Sequence, residues 1–105
     1  MPYKKRFLSY YEDDATQIID YLLAASPSAA LRFMDALDNQ INALAEMPYL
    51  YPKYEYDEFF RKMPINDWNY VVFYTVNDEQ KEIIFYDILH MSRDISTHLK
   101  NKFGE

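Results

Sequence analysis

Two apolar runs toward the C-terminal end set the frame. Tyr70-Val71-Val72-Phe73-Tyr74-Thr75-Val76 and Ile83-Ile84-Phe85-Tyr86-Asp87-Ile88-Leu89 are dense in β-branched and aromatic side chains, and the polar stretch Asn77–Lys81 joins them. That pattern predicts a β-hairpin. Nearly every position in both runs is apolar, which predicts central strands covered on both faces rather than a half-exposed edge. Asp87 interrupts the second run. A carboxylate inside a buried strand needs a partner, and Arg61 and Arg93 are the candidates.

Upstream the period changes from two to 3.6. Ala15, Ile18, Ile19, Leu22 and Leu23 recur as one face of an amphipathic helix opened by Glu12-Asp13-Asp14, acids that suit the positive end of the helix dipole. Ser26-Pro27 stops this helix and starts the next, with Ser26 as N-cap and Pro27 in the first turn. Ala30, Phe33, Leu37, Ile41 and Leu44 form the face of the second helix, which ends by Met47-Pro48. Together the two predict an antiparallel αα-hairpin. Lys4 to Tyr10 reads as a first strand, residues 48–58 as an irregular loop rich in Tyr and Pro, and Phe59 to Ile65 as a second strand that Pro64 pushes toward a sheet edge or an early end. Ile95, Leu99 and Phe103 predict a short terminal helix, begun near Asp94 or Ser96. The expected fold is α+β with order β-α-α-β-β-β, an αα-hairpin packed on an antiparallel-rich sheet and a short C-terminal helix, in one domain over residues 1–105.

Composition narrows the function. No apolar run approaches the roughly 20 residues that span a bilayer, and no apolar core follows the basic start Lys4-Lys5-Arg6 as a secretory signal requires. A cytoplasmic protein without a membrane partner is expected. Cysteine is absent, which excludes disulfides and thiolate chemistry. The net charge is −6, with five basic against ten acidic residues over 1–58 and six against seven over 59–105. Such a chain is poorly suited to nonspecific nucleic-acid binding. The eleven tyrosines fit a core with hydroxyls at its rim better than a base-stacking platform.

Several local signatures in this order resemble the RelE/ParE superfamily of type II toxin–antitoxin toxins, the plasmid stabilisation type. They are Ala15-x-x-Ile18-Ile19-x-Tyr21-Leu22, Ser26-Pro27-x-Ala29-Ala30-x-x-Phe33, Ile41-x-x-Leu44-x-x-x-Pro48, Phe60-Arg61-Lys62-Met63, Asn69 to Tyr74, and Ile83-x-Phe85-x-x-Ile88-Leu89-His90-x-x-Arg93-Asp94. The resemblance implies a bacterial growth inhibitor held inactive by a cognate antitoxin that folds over it. RelE-like members cut mRNA on the ribosome; ParE-like members poison DNA gyrase. Many RelE-like members carry an Arg directly after the Tyr that begins the penultimate strand, where this chain has Val71, and they are usually basic. The expectation is therefore a toxin with a gyrase-directed or undetermined target. A ribosome-dependent mRNA endonuclease is the first alternative, and an inactive antitoxin-binding module the second.

If the protein is an enzyme, it is a metal-independent endoribonuclease. That chemistry needs a proton donor or acceptor and cations on the phosphate. His90, Arg93 and Arg61 are the candidate catalytic residues and Lys62 the candidate substrate-binding residue. The competing reading makes the corner structural: His90 caps a backbone group, Arg93 pairs with Asp87, and Asp94 caps the last helix. A metal site at His90, Asp87 and His98 fits no recognised ligand spacing. Gly104 is the only glycine, so no phosphate-cradling loop is present, and no cofactor is expected.

Overall fold

The sheet is built around the hairpin. The computed structural model describes residues 2–104. Its elements are β1 (Lys4–Phe7), α1 (Ser9–Ala25), α2 (Pro27–Glu46), β2 (Lys53–Tyr54), β3 (Asp57–Pro64), β4 (Tyr70–Asn77), β5 (Glu82–His90) and α3 (Ile95–Phe103). Five strands lie in the order β1-β5-β4-β3-β2. β1 joins parallel to β5, with Lys4 opposite Glu82 and Phe7 opposite Phe85; the other pairings are antiparallel. Both hairpin strands are thus interior, as their nearly continuous apolar character predicts.

Each sheet face has its own cover. On one side the αα-hairpin buries Tyr11, Ala15, Phe33, Leu37, Ile41 and Leu44 against Met63, Val72, Tyr74, Phe85 and Ile88. On the other, Leu99 of α3 closes over Tyr54, Phe60, Val71, Phe73 and Leu89, with Ile95 and Phe103 packed alongside. Alternate residues of β4 therefore enter different cores. Ser26 caps α2 as expected, its hydroxyl accepting from the Ala29 N–H at 3.3 Å. Buried Gln40 ties α2 to the β3–β4 connection. It donates to the Tyr51 hydroxyl at 3.1 Å and the Pro64 carbonyl at 2.9 Å, and accepts from the Asn66 N–H at 2.8 Å.

The expected element order holds, with local differences. The first strand ends at Phe7 and the helix begins at Ser9, so Ser9 and Tyr10 are helical rather than extended. Leu8 makes the turn: its N–H donates to the Phe85 carbonyl at 3.0 Å and its carbonyl receives the Glu12 N–H at 3.1 Å. The loop over 48–58 also contributes a two-residue strand and the first two residues of β3, because Lys53 pairs with Arg61 and Tyr54 with Asp57; β3 ends at Pro64, and β2 keeps it from being the edge.

β4 and β5 are not in continuous register. Tyr74 sits opposite Phe85 and Phe73 opposite Asp87, which leaves Tyr86 as the extra residue of a bulge. A bulge bends its strand and re-aims the side chains beside it. Here it lies where β5 has passed the last residue paired with β1. No helix among the described residues is long and apolar enough to cross a membrane.

Candidate functional site

The end of β5 turns sharply. The Met91 N–H donates to the Asn69 carbonyl at 2.9 Å and the Arg93 N–H to the His90 carbonyl at 3.1 Å. The His90 ring fixes this corner from inside: Nδ1 accepts from the Ser92 N–H at 3.0 Å and lies 2.7 Å from the Ser92 hydroxyl. An Nδ1 that accepts a backbone N–H places the proton of the neutral ring on Nε2. The ring meets Tyr70 edge-on, with centroids 5.1 Å apart. Asp94 then caps α3, accepting from the Thr97 N–H at 3.3 Å and the Thr97 hydroxyl at 2.9 Å.

His90 and Arg93 share a small pocket of about 160 Å³ with Asp14, Ile18 and Tyr70. Arg93 is exposed and makes no ion pair among the described residues. Arg61 is not part of this pocket. It pairs with Tyr74 while His90 pairs with Tyr70. Four residues of strand are about 13 Å, and β4 lies between the two. Arg61 donates to the Tyr51 carbonyl at 2.8 Å, with its guanidinium 4.8 Å from the centre of the Tyr49 ring. It lines a separate open groove of about 780 Å³ with Lys53, Phe59, Ile84 and Tyr86. Lys62, the next residue along the strand, points to the opposite face. It lies over the Tyr54 ring and 3.3 Å from Glu55. The corner residues are brought together; the two β3 cations stand elsewhere. Val71, where the resemblance led one to expect a nearby cation, is 4% exposed and sealed under α3.

Asp87 has a partner, but not the arginine anticipated. Lys102 of α3 donates to it at 2.8 Å and to Asp14 of α1 at 2.9 Å. The other Asp87 oxygen accepts the Ile88 N–H at 2.9 Å. Neither Arg61 nor Arg93 reaches it, because the bulge turns this carboxylate toward α1 and α3. Burial pushes the Asp87 carboxyl up to about 7. The neighbouring Asp14 adds to that push, and Lys102 opposes it. Burial raises Asp14 too, but hydrogen bonds with Asp87 and Lys102 outweigh it and leave Asp14 below its ordinary value. Of the two carboxyls, Asp87 is thus the one that binds a proton more readily. Lys102 is raised, as the hydrogen bonds to both carboxyls overcome its desolvation. His98 is lowered by burial and then by the charges of Lys102 and Arg93.

Donor atoms of Asp14, Asp87 and His98 lie within 4.8 Å of one another. His90 is not among them. The Lys102 ammonium already bonds both carboxylates, so this cluster carries its own cation. Asp14, Tyr70 and Lys102 were not anticipated. Asp14 was hidden among three acids that look like a helix start. Lys102 had a usable signal, since His98 and Lys102 are four residues apart and share a helix face.

Comparison with known proteins adds three results. The family described as "ParE toxin of type II toxin-antitoxin system, parDE" matches residues 6–95. No curated protein matches the chain. Among solved structures, the chromosomal ParDE toxin–antitoxin system from P. aeruginosa superposes with a TM-score of 0.71 at 17% identity, over 86% of this chain and 97% of that one. The isolated E. coli RelE toxin gives 0.63 at 13% identity, over 95% and 97% of the two chains. The toxin–antitoxin complex RelBE2 from Mycobacterium tuberculosis gives 0.57 at 17%, over 86% and 99%. At these identities the structures share the fold.

Proposed function

The chain belongs to the ParE toxin family of type II toxin–antitoxin systems, within the RelE/ParE superfamily, as a toxin neutralised by a cognate antitoxin, and from that premise we propose that it arrests growth through DNA gyrase rather than by cutting mRNA. The observation that carries this reading is position 71. A cation there could serve an mRNA phosphate only if the site were open, and Val71 is core beneath α3. The placement of Arg61 supports the same view. Phosphoryl-transfer chemistry needs cations around one reacting phosphate, and register holds Arg61 well away from His90. In this reading Arg93 acts by contact with the target: the His90 ring braces the corner from inside, and the exposed guanidinium meets a partner.

The ribonuclease reading keeps one favourable observation, the pairing of His90 with Arg93 in a single pocket beside Tyr70. The two separate in one set of assays. Purified toxin is added to a gyrase supercoiling reaction and, in parallel, to a translation extract read by primer extension on mRNA. Gyrase inhibition without mRNA cuts is the expected result, with His90→Ala retaining most of it and Arg93→Ala losing it. Ribosome-dependent cuts abolished by His90→Ala would establish the nuclease instead. Antitoxin binding with neither activity would leave an inactive binding module.

A further inference from the structure

We propose that the corner after β5 is the centre of a protein-docking surface: the Arg93 guanidinium takes a single carboxylate of the target, and Tyr21, Trp68, Tyr70 and Met91 pack around that pair. The assignment builds on the gyrase-directed reading, and adds the surface and the chemistry by which that target is held.

Two side chains are left unused by the fold. Every other tyrosine has a hydrogen bond or a ring contact. Tyr21 has neither among the described residues and is 70% exposed on α1. The other arginines are likewise engaged: Arg6 with Glu82, Arg32 with Ser28, and Arg61 with the Tyr51 carbonyl and the Tyr49 ring. Arg93 is exposed and has no side-chain partner among the described residues. Tyr and Arg are the residue types that most often anchor protein interfaces.

Both belong to one end of the molecule. Asp14 and Ile18 of α1 line the pocket beside Arg93, and Tyr21 follows on the same helical stripe, one turn further on. Burial, and then the Tyr21 phenol nearby, raise the Tyr70 hydroxyl. Tyr70 lines the same pocket as Arg93, and it meets Phe33 edge-on at 5.5 Å, as Trp68 does at 5.2 Å. The Met91 backbone is tied to Asn69, next to Tyr70, and its side chain is exposed. Three separate segments thus bring aromatic and thioether surface around one guanidinium. Such a ring excludes water from a charge pair at its centre.

Charge selects the occupant. The pocket beside Arg93 measures about 160 Å³, room for one side chain. Asp14 at its wall is already bonded by Lys102. Asp13, Asp20 and Asp67 are exposed on the neighbouring helix and turn. A nucleic-acid strand, with a phosphate every few ångströms, would meet these acids with one free cation to offset them. A single Asp or Glu on a protein loop needs only Arg93, whose fork matches a carboxylate. A second copy of the chain is disfavoured, because both copies carry a net charge of −6.

The test measures binding of the full toxin to reconstituted DNA gyrase, without DNA, by biolayer interferometry, with supercoiling inhibition in parallel. Tyr21→Ala is expected to weaken binding at least about tenfold. Arg93→Lys is expected to weaken it about five- to tenfold, since an ammonium keeps the charge but loses the two-pronged bond. Tyr56→Ala removes an exposed ring from the turn between β2 and β3 and should bind as wild type. Thermal unfolding of all three should match wild type. Duplex DNA alone is the counter-probe, and no Arg93-dependent binding to it is expected. Wild-type gyrase affinity in both Tyr21→Ala and Arg93→Lys overturns the docking surface and leaves the gyrase reading standing. Duplex binding that Arg93→Ala removes also overturns it, in favour of a phosphate. A wild-type toxin that neither binds nor inhibits gyrase removes that reading and this surface together.

Discussion

Replacing Asp87 with Asn should abolish a stability loss that the wild-type protein suffers as pH rises from about 4 to about 7. Asp87 holds its proton in the folded state up to about pH 7, against an ordinary value of 3.8. Between those values the native state binds a proton that the unfolded chain has released. Stability therefore falls with rising pH through this window. Three units at about 1.4 kcal/mol each set an upper figure of about 4 kcal/mol. Because Asp14 and Lys102 titrate together with Asp87, an effect of roughly 2–4 kcal/mol is expected. Asp14 acts outside the window: its lowered value stabilises the fold above the ordinary carboxylate range, and that contribution is lost on acidification below it. Lys102, being raised, loses its contribution only in the alkaline range.

The amide mimics the protonated acid. Its Oδ1 can still accept the Ile88 N–H, but its NH2 cannot accept from Lys102 as the Asp87 Oδ2 does, and that loss burdens the variant by an amount independent of the Asp87 titration. Urea unfolding followed by the single Trp68, which packs edge-on against Phe33, gives the free energy at about pH 4.5, 6 and 7.5. Using the difference between variant and wild type cancels the titration of exposed carboxylates. The variant should be the less stable at the lowest pH, and the difference should move in its favour as pH rises to about 7.5. A difference that stays flat, or turns against the variant as pH rises, refutes the account of a raised Asp87 carboxyl.

Gln40→Leu strands the Asn66 N–H and the Pro64 carbonyl, and should cost about 2–4 kcal/mol in the same unfolding assay. Ser26→Ala removes the α2 cap and should cost about 1 kcal/mol, a drop in Tm of roughly 4–8 °C by calorimetry. Val71→Arg puts an unpaired charge beneath α3. It should destabilise the fold by more than about 3 kcal/mol, and translation extracts should show no mRNA cutting by the variant.

What was legible in the sequence is what depends on neighbours along the chain. The 3.6-residue period of Phe33, Leu37, Ile41 and Leu44, the Ser26 cap and the β4–β5 hairpin are local, and all are found in the structure. The corner was legible for the same reason: His90 to Ser92 and Asp94 to Thr97 span two and three residues. Long-range register was not. The helical start at Ser9 depends on a hydrogen bond from Leu8 to Phe85, and β2 exists because Lys53 finds Arg61. The separation of Arg61 from His90 follows from strand pairings that no spacing reveals. Asp87 was rightly marked as needing a partner. The partner's identity turned on a bulge that re-aims the carboxylate toward α3, and a bulge leaves little trace in a run that is apolar at nearly every position.

The parallel pairing of β1 with β5 also bears on how the chain folds. Lys4 meets Glu82, a separation of 78 residues, and closing a loop of that length costs about 4 kcal/mol in chain entropy. The αα-hairpin and the β4–β5 hairpin rest on local contacts and can form early. β1 has no strand to join until β5 is in place, so its docking belongs to the late, slow part of folding. A polypeptide interrupted before residue 82 would leave β1 unpaired and Phe7 without Phe85 to stack on. Toxicity would then depend on complete synthesis, with truncated products remaining harmless.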